Sequence, residues 1–314
     1  MNVQVYLRLD PLLLARPVLS MPALEHVLAK GSVCKSTQVF EAALCEAFGV
    51  ERQLDWPAAA LSWLGEGNDP GDSFWFYADP VSLELQRDHF SLNLPVPVTM
   101  EASEATALCA LLNAHFNEDG WQFHVAASGQ WYMGSRHPFP VTTSSPASAA
   151  KRDIRNYLPQ GMAAEKLQQL INEIQMLLHE HPINMTREEQ NRPVINSLWF
   201  SASGHMPLTR VPPRLVWSDH PLAMGLAGWA GRGALPLPAD DVLPQEDAIL
   251  VLDAARHDSE LWAKQLSAAL GAKKLAQLSF DIFAIDQHLH VVLEPFDIWK
   301  FWRKVKPLES YFAW

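Results

Sequence analysis

Three features of the sequence predict an α/β fold: a mixed sheet flanked by helices, with an irregular α+β N-terminal part. The run AILVLDA (248–254) is a near-continuous apolar strand, the kind buried on both faces of a sheet. AAEKLQQLINEIQMLLHEH (163–181) places Leu167, Leu170, Ile171, Ile174, Leu177 and Leu178 on one face, which defines an amphipathic helix. From that helix onward, strand and helix patterns alternate.

Residues 1–70 read as helical and loop-like, with PALEHVLAKG ending at Gly31 and an apolar stripe in STQVFEAALCEAFGV. The turn cluster EGNDPGDS precedes the strand FWFYA (74–78), and SLEL and FSLNL follow as short strands. TMEASEATALCALLNAHF (99–116) is a helix with Thr99 or Ser103 as cap and acids in its first turn. WQFHVAA and QWYMG flank Ser128-Gly129 as a hairpin. TTSSPASAAK (142–151) is small, polar and aperiodic, a linker between an α+β region 1–145 and an α/β region 152–314, unless the chain is one continuous domain. After the 163–181 helix come a polar turn rich in Asn and Arg, the strand VINSLWF, and LAMGLAGWAGRG as a small-residue helix or glycine loop. DSELWAKQLSAALG is a helix capped by Asp258 and closed by Gly271. LSFDIFAI and LHVVLE are strands, and FDIWKFWRKV closes the chain as an amphipathic helix.

The composition bounds the function. At 314 residues, 48% hydrophobic and 19% charged, the chain is globular with a generous core. Its 12 Trp are assigned to that core, with a partner-binding face as the other use. A net charge of −11 argues against nucleic-acid binding; KFWRKVK (300–306) is the local exception and reads as a helix end. Three cysteines without a CxxC pair fit free thiols in a reducing cytoplasm. The apolar stretch LLLARPVL is broken by Arg16 and Pro17, so neither a leader nor a membrane span is expected.

Candidate chemistry is sparse. Gly228, Gly231 and Gly233 fit neither the dinucleotide fingerprint nor a P-loop, and read as a structural turn. Histidines stand near acids at His179 and His181 with Glu180, at Asp286 with His288 and His290, and at His257 between Asp253 and Asp258. None has a complete ligand spacing, so no metal and no cofactor are expected. No Ser, Cys or Thr sits in a nucleophile motif, which leaves catalytic residues unassigned. Asn184, Arg187, Arg192 and Asn196 lie between a helix end and a strand and would suit a small anion, through arginine forks and amide donors. The opposing reading makes Asn184 a helix cap and leaves the arginines solvated.

Two resemblances extend this. NEIQMLLHEHPIN with NSLWF, WFYADPVSLELQRDH, LLNAHFNEDGWQF and IWKFWRK resemble the bacterial RpfE-type regulatory proteins, a family without an assigned activity. Tyr77, Ser82 and Ser201-Ala202-Ser203 depart from that pattern. His181-Pro182-x-Asn184, Arg187, Pro193, Asn196, Gly204 and Pro207 are similar to a stretch of the archaeal-type cofactor-independent phosphoglycerate mutases. That likeness implies an alkaline-phosphatase-like fold, two metal ions and a phosphorylatable Ser or Thr. Ser201 replaces an Arg of the motif. The expected ligand site is therefore His181, Asn184, Arg187, Asn196 and Gly204, with Asp79, Arg87 and Asp88 as a second patch. The leading expectation is a cytoplasmic, non-catalytic regulatory protein that binds a small anion or a protein partner, with no nucleic-acid or membrane partner. The alternative is a metal-dependent phosphoglycerate mutase-like or phosphatase-like enzyme.

Overall fold

The computed structural model describes residues 1–9, 20–208, 212, 214–238, 242–284 and 287–312. The broken apolar stretch at Arg16-Pro17 and the acid Asp286 lie outside these residues. In chain order, β1 (Asn2–Arg8), α1 (Pro22–Lys30), β2 (Ser32–Ser36) and α2 (Phe40–Ala47) come first. Next are α3 (Ala58–Gly65), β3 (Phe74–Val81), β4 (Leu83–Leu85), β5 (Phe90–Leu92), α4 (Ala102–Phe116), β6 (Trp121–Val125) and β7 (Trp131–Ser135). They lead to β8 (Val141–Thr142), α5 (Pro146–Ala149), a 3-10 turn (Ile154–Tyr157), β9 (Gln160–Gly161), α6 (Ala164–His179), α7 (Pro182–Glu189) and β10 (Ser197–Gly204). The chain ends with β11 (Leu215–Trp217), α8 (Pro221–Trp229), β12 (Ala248–Asp253), α9 (Ser259–Gly271), β13 (Gln277–Ala284), β14 (Gln287–Leu293), a 3-10 turn (Asp297–Trp299) and α10 (Glu309–Phe312).

Two compact units result: Met1–Gly49 with Arg210–Trp314, and Val50–Thr209. This differs from the expected division. The small, polar 142–151 stretch lies inside the second unit, where Ser145 caps α5 and Lys151 N–H donates to Leu92 O. A polar segment without periodicity can be tied down by backbone bonds as readily as it can be a linker.

The first unit is a six-stranded sheet in the order β11-β12-β1-β13-β14-β2. β11, β12, β1 and β13 are parallel, β14 runs antiparallel to them, and β2 pairs antiparallel with β14 and so shares their direction. Alternation in β1 sends Val3, Val5 and Leu7 to one face, where Leu24 and Val27 of α1 and Leu266 of α9 complete a core. Tyr6 and Arg8 take the other face, on the side of α2 and α8. The strand β1 falls within the region read as helical and loop-like, and it is central to this sheet.

The second unit holds an antiparallel sheet, β10-β3-β7-β6. Leu167, Leu170, Ile171, Ile174 and Leu178 of α6 pack with Leu108 and Leu112 of α4 on this sheet's Phe76 and Phe123. Trp63 and Trp75 fill a separate cluster with Tyr132. The cap of α4 is Glu101, whose side chain and that of Glu104 form a reciprocal capping box, rather than Thr99 or Ser103. The polar turn expected after His181 is largely the helix α7, started by Pro182 at its first position. The closing helix expected at FDIWKFWRKV is only a 3-10 turn followed by bends. Among the described residues, no helix is long and apolar enough to cross a membrane.

Candidate functional site

The expected anion cluster is built into the protein's own backbone. Asn184 is buried, its Nδ2 donating to Leu178 O and Ile195 O at 2.8 Å each and its Oδ1 accepting from Ile195 N–H. It ties the end of α6 to the approach of β10. Arg187 is 1% exposed. Its Nε donates to Pro193 O at 2.7 Å, one terminal nitrogen to Glu104 Oε2 at 2.8 Å, and the other to Thr99 O at 2.9 Å. Arg192 reaches the same Glu104 oxygen at 2.9 Å. Burial raises the Glu104 pKa, but the Glu101 N–H and the two guanidinium groups outweigh it and hold the carboxyl below its usual range. Asn196 makes a reciprocal pair with the backbone of Leu83, accepting at 2.7 Å and donating at 2.8 Å. His181 caps α7, its Nδ1 accepting from Ile183 N–H, and desolvation lowers its pKa. At Gly204 a Cβ would stand 2.7 Å from Pro57 Cβ, so close packing explains the glycine.

The second expected patch does not converge. Asp79 is buried in β3 and accepts from Gln130 Nε2, whereas Arg87 and Asp88 are exposed in the β4–β5 turn. Asp88 and Asn196 do line a cavity of about 890 Å³, with Gln168, Asn172 and His179 of α6 and with Leu85 and Phe90. Its nearby arginine, Arg155, is occupied by Asp153 through paired bonds.

The first unit presents a different constellation, at the carboxyl ends of its parallel strands, where open α/β sheets bind their ligands. β13 carries Asp281, and β14 returns antiparallel beside it with His288 and His290. Alternation puts both rings on one face, and both reach Asp281 Oδ1, His288 Nε2 at 2.9 Å and His290 Nδ1 at 2.7 Å. A carboxylate only accepts, so each of these ring nitrogens carries the hydrogen. That leaves His288 Nδ1 as an acceptor, and Ser36 Oγ lies 2.9 Å from it. Gln38 N–H donates to the same hydroxyl, so its own hydrogen is directed at the imidazole. Ser36 ends β2, shortly before α2 begins at Phe40. Beyond Asp281 the network continues through Gln4 Nε2 at 3.1 Å to the Tyr6 hydroxyl at 2.6 Å. Burial opposes ionisation of Asp281, yet the bonds from His288, His290 and Gln4 hold its pKa down at about 2. The bond to Asp281 raises the pKa of His290. Burial pushes the Tyr6 hydroxyl up, with Asp281 adding to it.

Phe283 stacks on His288 with ring centres 4.5 Å apart, and Phe40 stands edge-on to both Phe283 and His220. His220 starts α8 and is partly buried; desolvation, followed by the charges of Arg8, Arg256 and His257, drives its pKa down to about 3. The expected triplet after β12 is separated by its bonds. Asp258 caps α9, while His257 bonds Asp253 N–H and lies 3.3 Å from Asp219. Arg256 pairs with Asp219 at 3.0 Å, and Arg8 has no ion-pair partner among the described residues. The edge thus carries Arg8 at the end of β1 and, three strands across the sheet at the end of β2, a Ser–His–Asp relay. The signal in the sequence was Asp281, an acid inside the apolar run LSFDIFAI, since a buried charge needs partners.

The family model for 2,3-bisphosphoglycerate-independent phosphoglycerate mutase matches residues 98–184. A Geobacter sulfurreducens protein named "Probable 2,3-bisphosphoglycerate-independent phosphoglycerate mutase" is 27% identical over 133 residues, 42% of this chain and 33% of that protein. The chain therefore spans about a third of the length of that curated relative. A cofactor-independent phosphoglycerate mutase structure from Thermoplasma acidophilum aligns with a TM-score of 0.44 and 14% identity, over 98% of this chain and 94% of that one. A Pyrococcus horikoshii protein aligns with a TM-score of 0.48 and 14% identity, over 93% and 87%. The family-model match and the Geobacter relative support the mutase resemblance and give no support to the RpfE-type regulatory one or to the leaning against an enzyme. The family-model match lies in the second unit, and the relay lies outside it. Among the described residues, no three His, Cys, Asp or Glu side chains converge to hold a metal ion. The described donor set thus does not fit the metal pair that the resemblance implies.

Proposed function

We propose that this chain is a phosphoglycerate mutase-like enzyme that moves a phosphoryl group on a small phosphorylated acid, with Ser36 as the acceptor. The Ser36–His288–Asp281 relay carries this reading. A serine hydroxyl is a weak nucleophile until a positioned base takes its proton, and the base needs a third group to orient it. His288 Nδ1 would take the Ser36 proton as Oγ bonds to phosphorus and the ester oxygen leaves; the proton then returns to that oxygen. Asp281 would balance the imidazolium formed in between. Arg8, exposed at the end of β1, would add positive charge on that edge of the sheet.

The test is incubation of the full chain with 3-phosphoglycerate and with a generic phosphate ester, with and without Mn²⁺. Isomerisation or hydrolysis is followed by phosphorus NMR, and phosphate on Ser36 by peptide mass spectrometry. Turnover that vanishes in Ser36→Ala supports the reading. No turnover and no phosphoserine under any of these conditions overturns it.

A further inference from the structure

The segment after β14 holds its aromatic rings in water. Phe296, Trp299, Phe301 and Trp302 are 76%, 69%, 87% and 67% exposed. This is not a frayed end. Ile298 packs on the core of the first unit, Leu308 is fully buried, and Leu308 N–H donates to Glu25. Arg303 donates to Gly31 O at 2.7 Å, and Lys30 Nζ donates to Lys300 O. The backbone between these anchors is pinned while the rings point away from it. Contiguous exposed apolar surface of this kind marks an interaction site.

Cations accompany the rings. Lys273 stands over Phe296 at 5.8 Å, and Lys274, Lys304 and Lys306 are exposed. Lys300 pairs with Asp297, which neutralises the acid within the patch. In a chain with net charge −11, this local concentration of lysine would orient the molecule toward a negative surface. Lysine is depleted from protein–protein interfaces, whereas Trp and Phe beside Lys and Arg are the side chains that enter a lipid headgroup layer. Single-stranded nucleic acid would need a charged groove tracking its backbone, and this segment is a 3-10 turn followed by a further turn, with no cavity described along it. We infer that residues 296–306 form a docking surface for an anionic phospholipid bilayer, reached by surface attachment without any spanning segment.

The test is co-sedimentation of the full chain with phosphatidylcholine vesicles, with and without phosphatidylserine. Binding is expected with the anionic vesicles only, and is expected to weaken as salt rises. Lys304→Ala with Lys306→Ala should lower partitioning about fivefold per lysine. Trp299→Ser with Trp302→Ser should abolish it, with thermal melts unchanged because both rings are exposed. Absence of binding to anionic vesicles overturns the proposal, and so does binding that neither pair of substitutions alters. Retention on an oligo-dT matrix in place of the vesicles overturns it as well.

Discussion

Glu104 in the second unit and Asp281 in the first are both carboxylates largely withdrawn from water, and each receives two basic side chains. Around Glu104 the partners are arginines, which do not release a proton at physiological pH, and the remaining donors of Arg187 end on backbone carbonyls. Around Asp281 they are histidines, and the free nitrogen of His288 meets a hydroxyl at the edge of a sheet. The first arrangement is closed, so it can only hold α4, α7 and the approach to β10 together. The second is open at one end and can pass a proton on. Similar charges therefore become a brace in one unit and a relay in the other.

Four substitutions or titrations break or sharpen that contrast. The largest expected effect is Ser36→Ala, lowering phosphoryl transfer by a factor on the order of 10³ or more, while the melting temperature barely moves. Arg187→Ala should instead destabilise the fold by about 3–5 kcal/mol in urea or guanidinium unfolding, because Glu104 loses a buried partner and two carbonyls are orphaned. An equal loss of stability in both variants would erase the distinction. Asn184→Ala should cost about 1–3 kcal/mol in the same measurement, since Leu178 O and both backbone groups of Ile195 lose their partner.

The smallest effect is in pH dependence. Glu104 and Asp281 both have lowered pKa values when folded, so each stabilises the protein above its unfolded pKa, and that contribution is lost as pH falls through the folded one. For Asp281 the window runs from the ordinary carboxyl value of 3.8 down to about 2. His290 has the opposite sign: its raised pKa stabilises the fold below the ordinary histidine value, and that contribution disappears as pH rises through the folded one. Only the Asp281 group therefore has a loss on the neutral side. His290→Gln should flatten that limb by well under about 1 kcal/mol, because the ring is partly exposed and its pairing is screened. A melting-temperature profile across neutral pH checks this, and an unchanged neutral limb would remove His290 from the relay's electrostatics.

Much of the architecture was legible. The α6 face repeats at helical spacing, β12 is continuously apolar, and Asp258 caps α9, so local chemistry and final structure agree there. The site was not legible in the same way. His288-x-His290 was visible as a same-face pair, yet the neighbouring Asp286 offered itself as the partner. Strand pairing brings in Asp281, because β13 and β14 place it opposite His290. Asn184 and Arg187 had the residue types of an anion site, and no sequence pattern marks which carbonyls will stand within reach of a side chain.

The amino-acid order by itself determined the α/β class, the main helices and the apolar strands, since these depend on periodicity and capping within a few residues. Tertiary structure alone decided that β1 lies between β12 and β13 and that distant segments at both ends of the chain build one unit. It also decided that Ser36 meets His288, a contact across 252 positions. Such contacts follow from which strands become neighbours when the whole core is buried, a choice made by the sum of many weak interactions and written in no single stretch of sequence.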